Sequence, residues 1–440
     1  MKIVTSYLFL LILLIPTFAN ALGVPELIKG ALEYHPSITE QKELRAANYK
    51  ALDSAKWQYF PTPTIAVDGV NASKDDASYD GDDYALRLGL TQPIYTGGKI
   101  SSNLKAAEAD ILASEASLKE AYEEVSLNIV SAYGEWLSAH MKGLAQAKSI
   151  AVHEKLKKQV ERRSEAGIAT GSDLLLANGR LQSSYADAAT LVASEANALT
   201  ALEVLFGRTI STEELSLDQP LPLSIGTSLA TLEKTALDNN PGILRARADI
   251  LSADADLRLE KTSLKPDISL RFEHQRGDIY ADRSRNSENR LFLNMTSKLG
   301  AGLSSFSAIE EATIRRNAVR SKLTQSELKL RKKVRSDYAL LQSFLISVEA
   351  LENSLKTAVE VSDSYNRQFL VGRKSWLDVM NTARDLVSTE TQLVDAQSAN
   401  VLVSWRLYIT ALGLNSALAE AGGLDNSQDI MIFPRSNSNE

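Results

Sequence analysis

Residues 82–99 read DDYALRLGLTQPIYTGGK, and the fold turns on how that stretch is built. From Asp83 to Thr91 the side chains alternate. Tyr84, Leu86, Leu88 and Leu90 fall on one side, and Ala85, Arg87, Gly89 and Thr91 on the other. A period of two over about nine residues matches a membrane-spanning strand. A half-buried strand of a soluble sheet has the same period, so the alternation alone leaves both open. Pro93 is expected to end ladder pairing. Gly97 and Gly98 let the backbone turn sharply into the segment that starts at Lys99.

Three other stretches fill matching slots, giving expected strands at 64–71, 83–92, 267–275 and 289–298. Ile65 and Val67 share one face of the first, and Leu291, Leu293 and Met295 alternate in the last. The connections between them, KDDASYDGDD (Lys74 to Asp83) and QRGDIYADRSRNSEN (Gln275 to Asn289), are long, polar and charged. Such loops are typical of the outer face of a bacterial barrel, and they tip the reading towards membrane strands. The Asp-rich loop does not follow the EF-hand ligand order, so it reads as solvated.

After the turn comes a helix. From Lys99 to about Ser164 there is no proline, and Leu104, Ile111, Leu118, Val125 and Ala132 recur every seven residues. Tyr122, Ile129 and Trp136 form a second such row, and Val334, Leu341, Val348 and Leu355 repeat the pattern later. Sustained heptads mean coiled-coil packing, and two rows on one helix favour a neighbour on each side. About 65 residues at 1.5 Å rise give roughly 100 Å of helix, too long for a compact domain. The sequence supports either a rod or a curved wall of helices around water.

The chain is written twice. His35-Pro36-Ser37-Ile38 resembles Asn240-Pro241-Gly242-Ile243, 205 residues on, and the same offset relates Pro61 to Pro266, Thr91 to Thr296, Gly97 to Gly302 and Tyr133 to Tyr338. It also relates Arg162 to Arg367, Gly167 to Gly372 and Asp173 to Asp378. The expected organisation is a signal peptide at 1–21, a first repeat at 22–207, a linker at 208–228, a second repeat at 229–413 and a polar tail at 414–440. The apolar run Tyr7 to Phe18 followed by Ala19-Asn20-Ala21 carries the signal-peptide reading and implies export. No later segment has 18 uninterrupted apolar residues, so no membrane-crossing helix is expected.

Composition narrows the function. There is no cysteine, so disulfides, thiolate metal sites and lipidated cysteine are excluded. Net charge is −7, which argues against nucleic acid as a partner. Four scattered histidines suggest no metal site, and no nucleophile, paired-carboxylate or nucleotide-binding constellation stands out. No enzyme activity and no cofactor are expected, and transport would have to be driven by a partner. The run of Lys and Arg from Arg315 to Arg335 reads as a solvated helix face.

Leu90-Thr91-Gln92-Pro93-Ile94-Tyr95-Thr96-Gly97-Gly98-Lys99 resembles the strand-to-helix junction of TolC-like outer-membrane channels, with Gln92, Pro93, Gly97 and Gly98 as the junction residues. The duplicated halves and the heptads match that family as well. The resemblance spans about residues 24–413 and implies a mixed α+β membrane protein. It implies a homotrimer in which four strands per chain close a twelve-stranded barrel, since closure removes the strand edges that lipid does not tolerate. A long helical tunnel would continue into the periplasm.

A second motif, Val371-Gly372-Arg373-Lys374-Ser375-Trp376-Leu377-Asp378-Val379-Met380-Asn381, resembles the periplasmic tip, where acidic residues ring a closed aperture in that family. The resemblance gives Asp378 the first acidic position, and Asn381 stands at the second. Asp173 is the repeat mate of Asp378, and Lys374 takes a basic position of the closing contacts. Phe369 stands where a tyrosine hydroxyl is often found. Independently, an Asp near a helix start is favourable through capping and dipole effects. Arg162, Gly167, Arg367 and Gly372 would sit on the docking surface of the tip.

Together these features imply a passive exit duct in the outer membrane. An inner-membrane ABC transporter and a periplasmic adaptor (a membrane fusion protein) would dock at the tip. Residues 375–381 look closer to type I secretion channels, which pass protein cargo such as large adhesins. A drug or metal efflux duct is the alternative within the class. A periplasmic coiled-coil adaptor or structural protein is the alternative outside it.

Overall fold

The computed structural model describes residues 22–71, 82–217, 228–277, 287–297 and 300–420. The expected signal peptide 1–21, most of both charged loops, residues 218–227 of the expected linker and 421–440 of the expected tail lie outside them.

The first half opens with α1 (Val24–Tyr34) and α2 (Pro36–Trp57). Pro36 cannot continue α1 but suits the first position of α2, and His35 Nδ1 accepts the Ser37 N–H at 3.3 Å. Then follow β1 (Thr62–Asn71), β2 (Asp82–Tyr95), α3 (Lys99–Glu165) and α4 (Gly171–Phe206). The second half repeats the order as α5 (Leu229–Asn239), α6 (Pro241–Thr262), β3 (Asp267–Arg276), β4 (Ser287–Thr296), α7 (Ser304–Leu370) and α8 (Trp376–Leu412). Its break is capped by Asn240, whose Oδ1 accepts the Ile243 N–H at 3.3 Å.

The four strands form one antiparallel sheet in the order β1-β2-β3-β4, so β1 and β4 are its edges. Because opposed residues share a face, the register sorts the side chains. Ile65 pairs with Leu88, Val67 with Leu86, Leu90 with Phe272, Phe272 with Leu291 and Leu270 with Leu293. This apolar face is exposed, with Ile65 at 77% and Leu293 at 72%. The other face carries Asp68, Arg87, Arg271, Glu273, Glu288 and Arg290. The strand bounds exceed expectation at five ends. β1 starts at Thr62, β2 spans Asp82 to Tyr95, β3 runs to Arg276, and β4 starts at Ser287 but stops at Thr296. Pro93 does not end all pairing. Pairing to β1 stops at Thr91, while pairing to β3 continues through Pro93–Ser269 and shifts register before Tyr95. A proline is tolerated where its missing N–H faces an unpaired side or a bulge.

Helices α3 and α7 each have 67 residues, or about 100 Å. Near the sheet, α2, α3, α6 and α7 pack side by side in that order; farther away the order is α4, α3, α8, α7. Each helix thus has a neighbour on two sides, except at the ends of the row. Ile111, Leu118, Val125 and Ala132 are buried, as are Ile129 and Trp136 of the second heptad row. By length and composition α4 could cross a membrane. Here it lies along α3 instead. The largest core surrounds Tyr133, Trp136, Trp405 and Tyr408, where α1, α3, α4 and α8 meet.

Two segments expected to be plain connections contribute to that core. Residues 414–440 are not all polar tail, since α9 (Leu414–Glu420) buries Leu414, Ala417 and Leu418. Residues 208–217 of the expected linker bury Ile210 and Leu215, and the Leu22 N–H donates to Glu214 O at 2.6 Å. A few apolar side chains in each segment join the core and pin it.

Candidate functional site

The end of the helical wall farthest from the sheet consists of two turns of one design. In each, a glycine in the left-handed region stops the incoming helix, at φ 72° in Gly167 and 77° in Gly372. An L side chain is disfavoured there. In each, a hydroxyl residue caps the outgoing helix. The Asp173 N–H donates to Thr170 Oγ1 at 3.2 Å, while Asp173 Oδ2 accepts the Thr170 N–H at 2.9 Å. The Asp378 N–H donates to Ser375 Oγ at 3.2 Å, while Asp378 Oδ2 accepts the Ser375 N–H at 3.1 Å. These are reciprocal capping boxes, which satisfy orphan N–H groups at the start of a helix.

The boxes differ in their second carboxylate oxygen. Asp173 Oδ1 accepts the Trp376 indole N–H at 2.7 Å, a bond between the α3–α4 turn and the start of α8. Asp378 forms no such bond to another hairpin among the described residues. Both carboxyls are held below the usual carboxylate range. For Asp173 the indole is the largest cause, ahead of Thr170. For Asp378 it is the Ser375 hydroxyl, then the Ser375 N–H, with Lys374 adding a smaller attraction.

Aromatic groups brace the same region. Phe369 is buried with Leu156, Val379 and Met380, beside Tyr365 and Trp376. Arg163 stacks over Phe369 at 4.5 Å from the ring centre, and Lys374 sits over Tyr365 at 4.3 Å. Lys374 is therefore held by a ring face. Asn381 lies one turn into α8, in the wall of a cavity between α3, α4 and α8 of about 280 Å³. On its floor, His153 meets Ser184 Oγ at 3.1 Å, and burial pushes its pKa down. Arg162 and Arg367 are exposed at the ends of α3 and α7, and Gly167 and Gly372 are exposed in the turns. Sequence reading missed Trp376, Tyr365 and Arg163. The available signal was a tryptophan at the first position of an exposed helix.

At the other end, the Gln92 amide donates to Tyr59 O at 3.0 Å and to Pro93 O at 2.8 Å. Gly97 and Gly98 adopt φ 60° and 99°. Gly97 O accepts from Lys265 Nζ at 3.0 Å, and a Cβ on Gly97 would lie 2.7 Å from the Lys265 Cβ. Gln92 ties β2 to the end of the α2–β1 column, and the Gly97–Lys265 contact ties the β2–α3 turn to the column of α6 and β3.

A family model described as "Outer membrane efflux protein" matches the chain twice, over residues 27–208 and 232–413. The outer membrane efflux protein BepC of Brucella suis is 22% identical over 330 residues, covering 72% of this chain and 70% of BepC. The pyoverdine export outer membrane protein OpmQ of Pseudomonas aeruginosa is 25% identical over 388 residues, covering 85% of this chain and 75% of OpmQ. The crystal structure of the outer membrane protein VceC of Vibrio cholerae has the same fold. It superposes with a TM-score of 0.77 at 18% identity, covering 89% of this chain and 96% of VceC. The two matched segments take in most of the chain and coincide with the two runs of helices and strands, so this protein belongs to the outer membrane efflux protein family, whose members are outer-membrane channels rather than enzymes.

Proposed function

We propose that three copies of this chain form a passive exit duct of a tripartite type I secretion system. β4 of one copy pairs with β1 of the next, closing a twelve-stranded barrel in outer-membrane lipid. The observation that carries this is the sheet itself, with two open edges and an exposed apolar face. A further detail supports closure. The apolar face centres on Ile65 in β1 and on Leu293 in β4, yet Ile65 lies in register with Leu88, His274 and Asn289. The band therefore drifts by four residues across three strand spacings. That is about 13 Å along the strands against about 14 Å across them, a slope of about 43°. A band level with the membrane requires that tilt, and closed barrels tilt by roughly 35–45°.

The tip is the gate. Asp378 places one carboxylate per copy around the symmetry axis, where negative potential accumulates. Asn381, at the second position, leaves that ring without further charge. The Asp173–Trp376 bond holds one hairpin of the copy to the other, and Lys374 steadies the second turn through Tyr365. The exposed ends of the hairpins, with Arg162, Gly167, Arg367 and Gly372, meet the periplasmic adaptor, which links to an inner-membrane ABC transporter. The cargo is a secreted protein such as a large adhesin, a reading that rests on residues 375–381. A small-molecule efflux duct is the second reading, favoured by the likeness to a pyoverdine exporter.

Comparing a deletion strain's secretome and drug susceptibility with those of its parent separates the two. Loss of one large secreted or surface protein with unchanged drug tolerance is expected. Drug hypersensitivity with an intact secretome would replace secretion by efflux.

A further inference from the structure

The polar face of the sheet is an ionic lattice. Arg87 pairs with Asp68 at 2.5 Å, and Arg290 with Glu288 at 2.5 Å. Glu273 stands between two arginines, with Arg290 Nη1 at 3.7 Å and Arg271 Nε at 3.9 Å. The described side chains across the middle of this face include three arginines against Asp68, Glu273 and Glu288, so each cation is matched by an anion. The Arg271 guanidinium lies 4.6 Å from the centre of the Phe292 ring. Its ion pair among the described residues is with Glu273. Glu273 is buried, at 9% exposure, whereas the Arg271 side chain is 42% exposed.

We propose that Glu273 keeps the electrostatic potential inside the barrel near neutral and so prevents a preference for anionic solutes. The inference rests on the reading that this face lines the lumen of a closed barrel. With Arg290 already paired to Glu288, the Glu273 carboxylate offsets the charge of Arg271 over a short distance, and a buried position is little screened by salt. Without it, each copy would present Arg271 unmatched to the water-filled interior, and symmetry repeats that charge around the axis. With it, the wall stays near neutral, which suits passage of segments of either sign.

The chain has no cysteine, so a single introduced thiol can report the local potential. Thr64 is exposed on the same face and in the same register row as Gly89 and Glu273. Gly89 offers no side chain between them. Thr64→Cys in reconstituted full-length protein would be treated from the outside with cationic and anionic methanethiosulfonates. Both reach the barrel mouth whatever the state of the tip. Leu293→Cys, on the apolar face, is the control for the barrel reading, and its thiol should be shielded by lipid.

Added to the Thr64→Cys background, Glu273→Gln is expected to lower the cation-to-anion rate ratio at the thiol by about fivefold, the effect of one unmatched charge some 10 Å away in a mostly aqueous medium. Arg290→Gln should raise the ratio, and Glu311→Gln, on an exposed helix surface, should leave it alone. A ratio unmoved by Glu273→Gln and by Arg290→Gln, with the thiol at position 64 reactive and that at position 293 shielded, overturns the proposal while the barrel stands. A shielded thiol at position 64, or a freely reactive one at position 293, brings down the barrel reading and the proposal with it.

Discussion

The two ends of the long helices are held in opposite ways. At the sheet end, main-chain ladders join four strands over nearly their full length, and Gln92, Gly97 and Lys265 lock the junction below. At the tip, each turn is closed by its own capping box, and among the described residues the hairpins meet there through one indole donor on a carboxylate and the packing of Phe369 against Arg163 and Leu156. Many cooperative bonds make a fixed collar, whereas a few separable side-chain contacts make an end that can move. On the proposed function, this difference lets one chain be permanent in the membrane and switchable in the periplasm.

The largest expected effect is at the fixed end. Leu88→Arg puts a charge on the apolar face at a cost of about 2–4 kcal/mol near the bilayer midplane. The expected outcome is loss of the heat-modifiable trimer from outer-membrane fractions. Thr64→Arg, on the opposite face, should be far better tolerated. Equal trimer yield for both would erase the distinction between the faces and with it the contrast between the two ends.

Next comes the tip bond. Trp376→Phe keeps an aromatic ring against the cluster around Phe369 but removes the donor. Hydrogen bonds to charged groups are worth enough to shift the open-to-closed ratio by about tenfold per chain. Single-channel conductance in planar bilayers should rise, and Asp173→Asn should do the same. Asp378→Ala should behave differently. It leaves the hairpins tied but removes the ring charge, so cation selectivity and block by trivalent cations should fall without a comparable rise in conductance. If the Asp173 and Asp378 variants proved indistinguishable, the different use of their second oxygens would have no functional meaning.

A smaller effect tests what the two turns share. Thr170→Ala and Ser375→Ala each remove an N-cap hydroxyl and should each destabilise the local helix start by about 1 kcal/mol. Amide exchange in the first turns of α4 and α8 should accelerate to a similar extent. Only Thr170→Ala should also loosen the Trp376 bond, because Asp173 loses one of the contacts that orient it.

How much of this was legible follows the same division. The alternation of Tyr84, Leu86, Leu88 and Leu90 and the heptads through Leu118 and Trp136 are periodic signals, and periodic signals mark elements held by repeated contacts. They foretold the sheet, its faces and the long helices. The capping boxes were half legible, because an Asp three residues after a Thr or Ser is a known helix start. The Asp173–Trp376 bond was not. It joins residues 203 apart in sequence, and no local pattern encodes which side chain a turn will meet across a hairpin. Leu414, Ala417 and Leu418 were overlooked for a related reason, since seven residues are too few to show a period beside a polar tail.

The smallest effect separates the body from the tip by pH. In the body, burial pushes the Glu123 carboxyl up to about 7, opposed by Lys333 and aided by Glu120. Its Oε2 accepts the Asn240 amide at 3.3 Å, tying α3 to the α5–α6 break. A folded-state value above the unfolded one means the native state binds the extra proton. Stability then falls as pH rises from about 4.5 to about 7, the window between unfolded and folded values. At the tip the sign reverses. Asp173 is held below the usual range, so its bond is at full strength above the unfolded value near 4 and weakens as pH falls through the lower folded one. Acidifying from pH 7 to 5 should therefore raise the melting temperature while conductance stays low, and further acidification below pH 4 should raise conductance. Glu123→Gln should abolish the first response and leave the second, and Trp376→Phe should do the reverse. A single variant that removed both would mean the two ends are coupled more tightly than their contacts suggest.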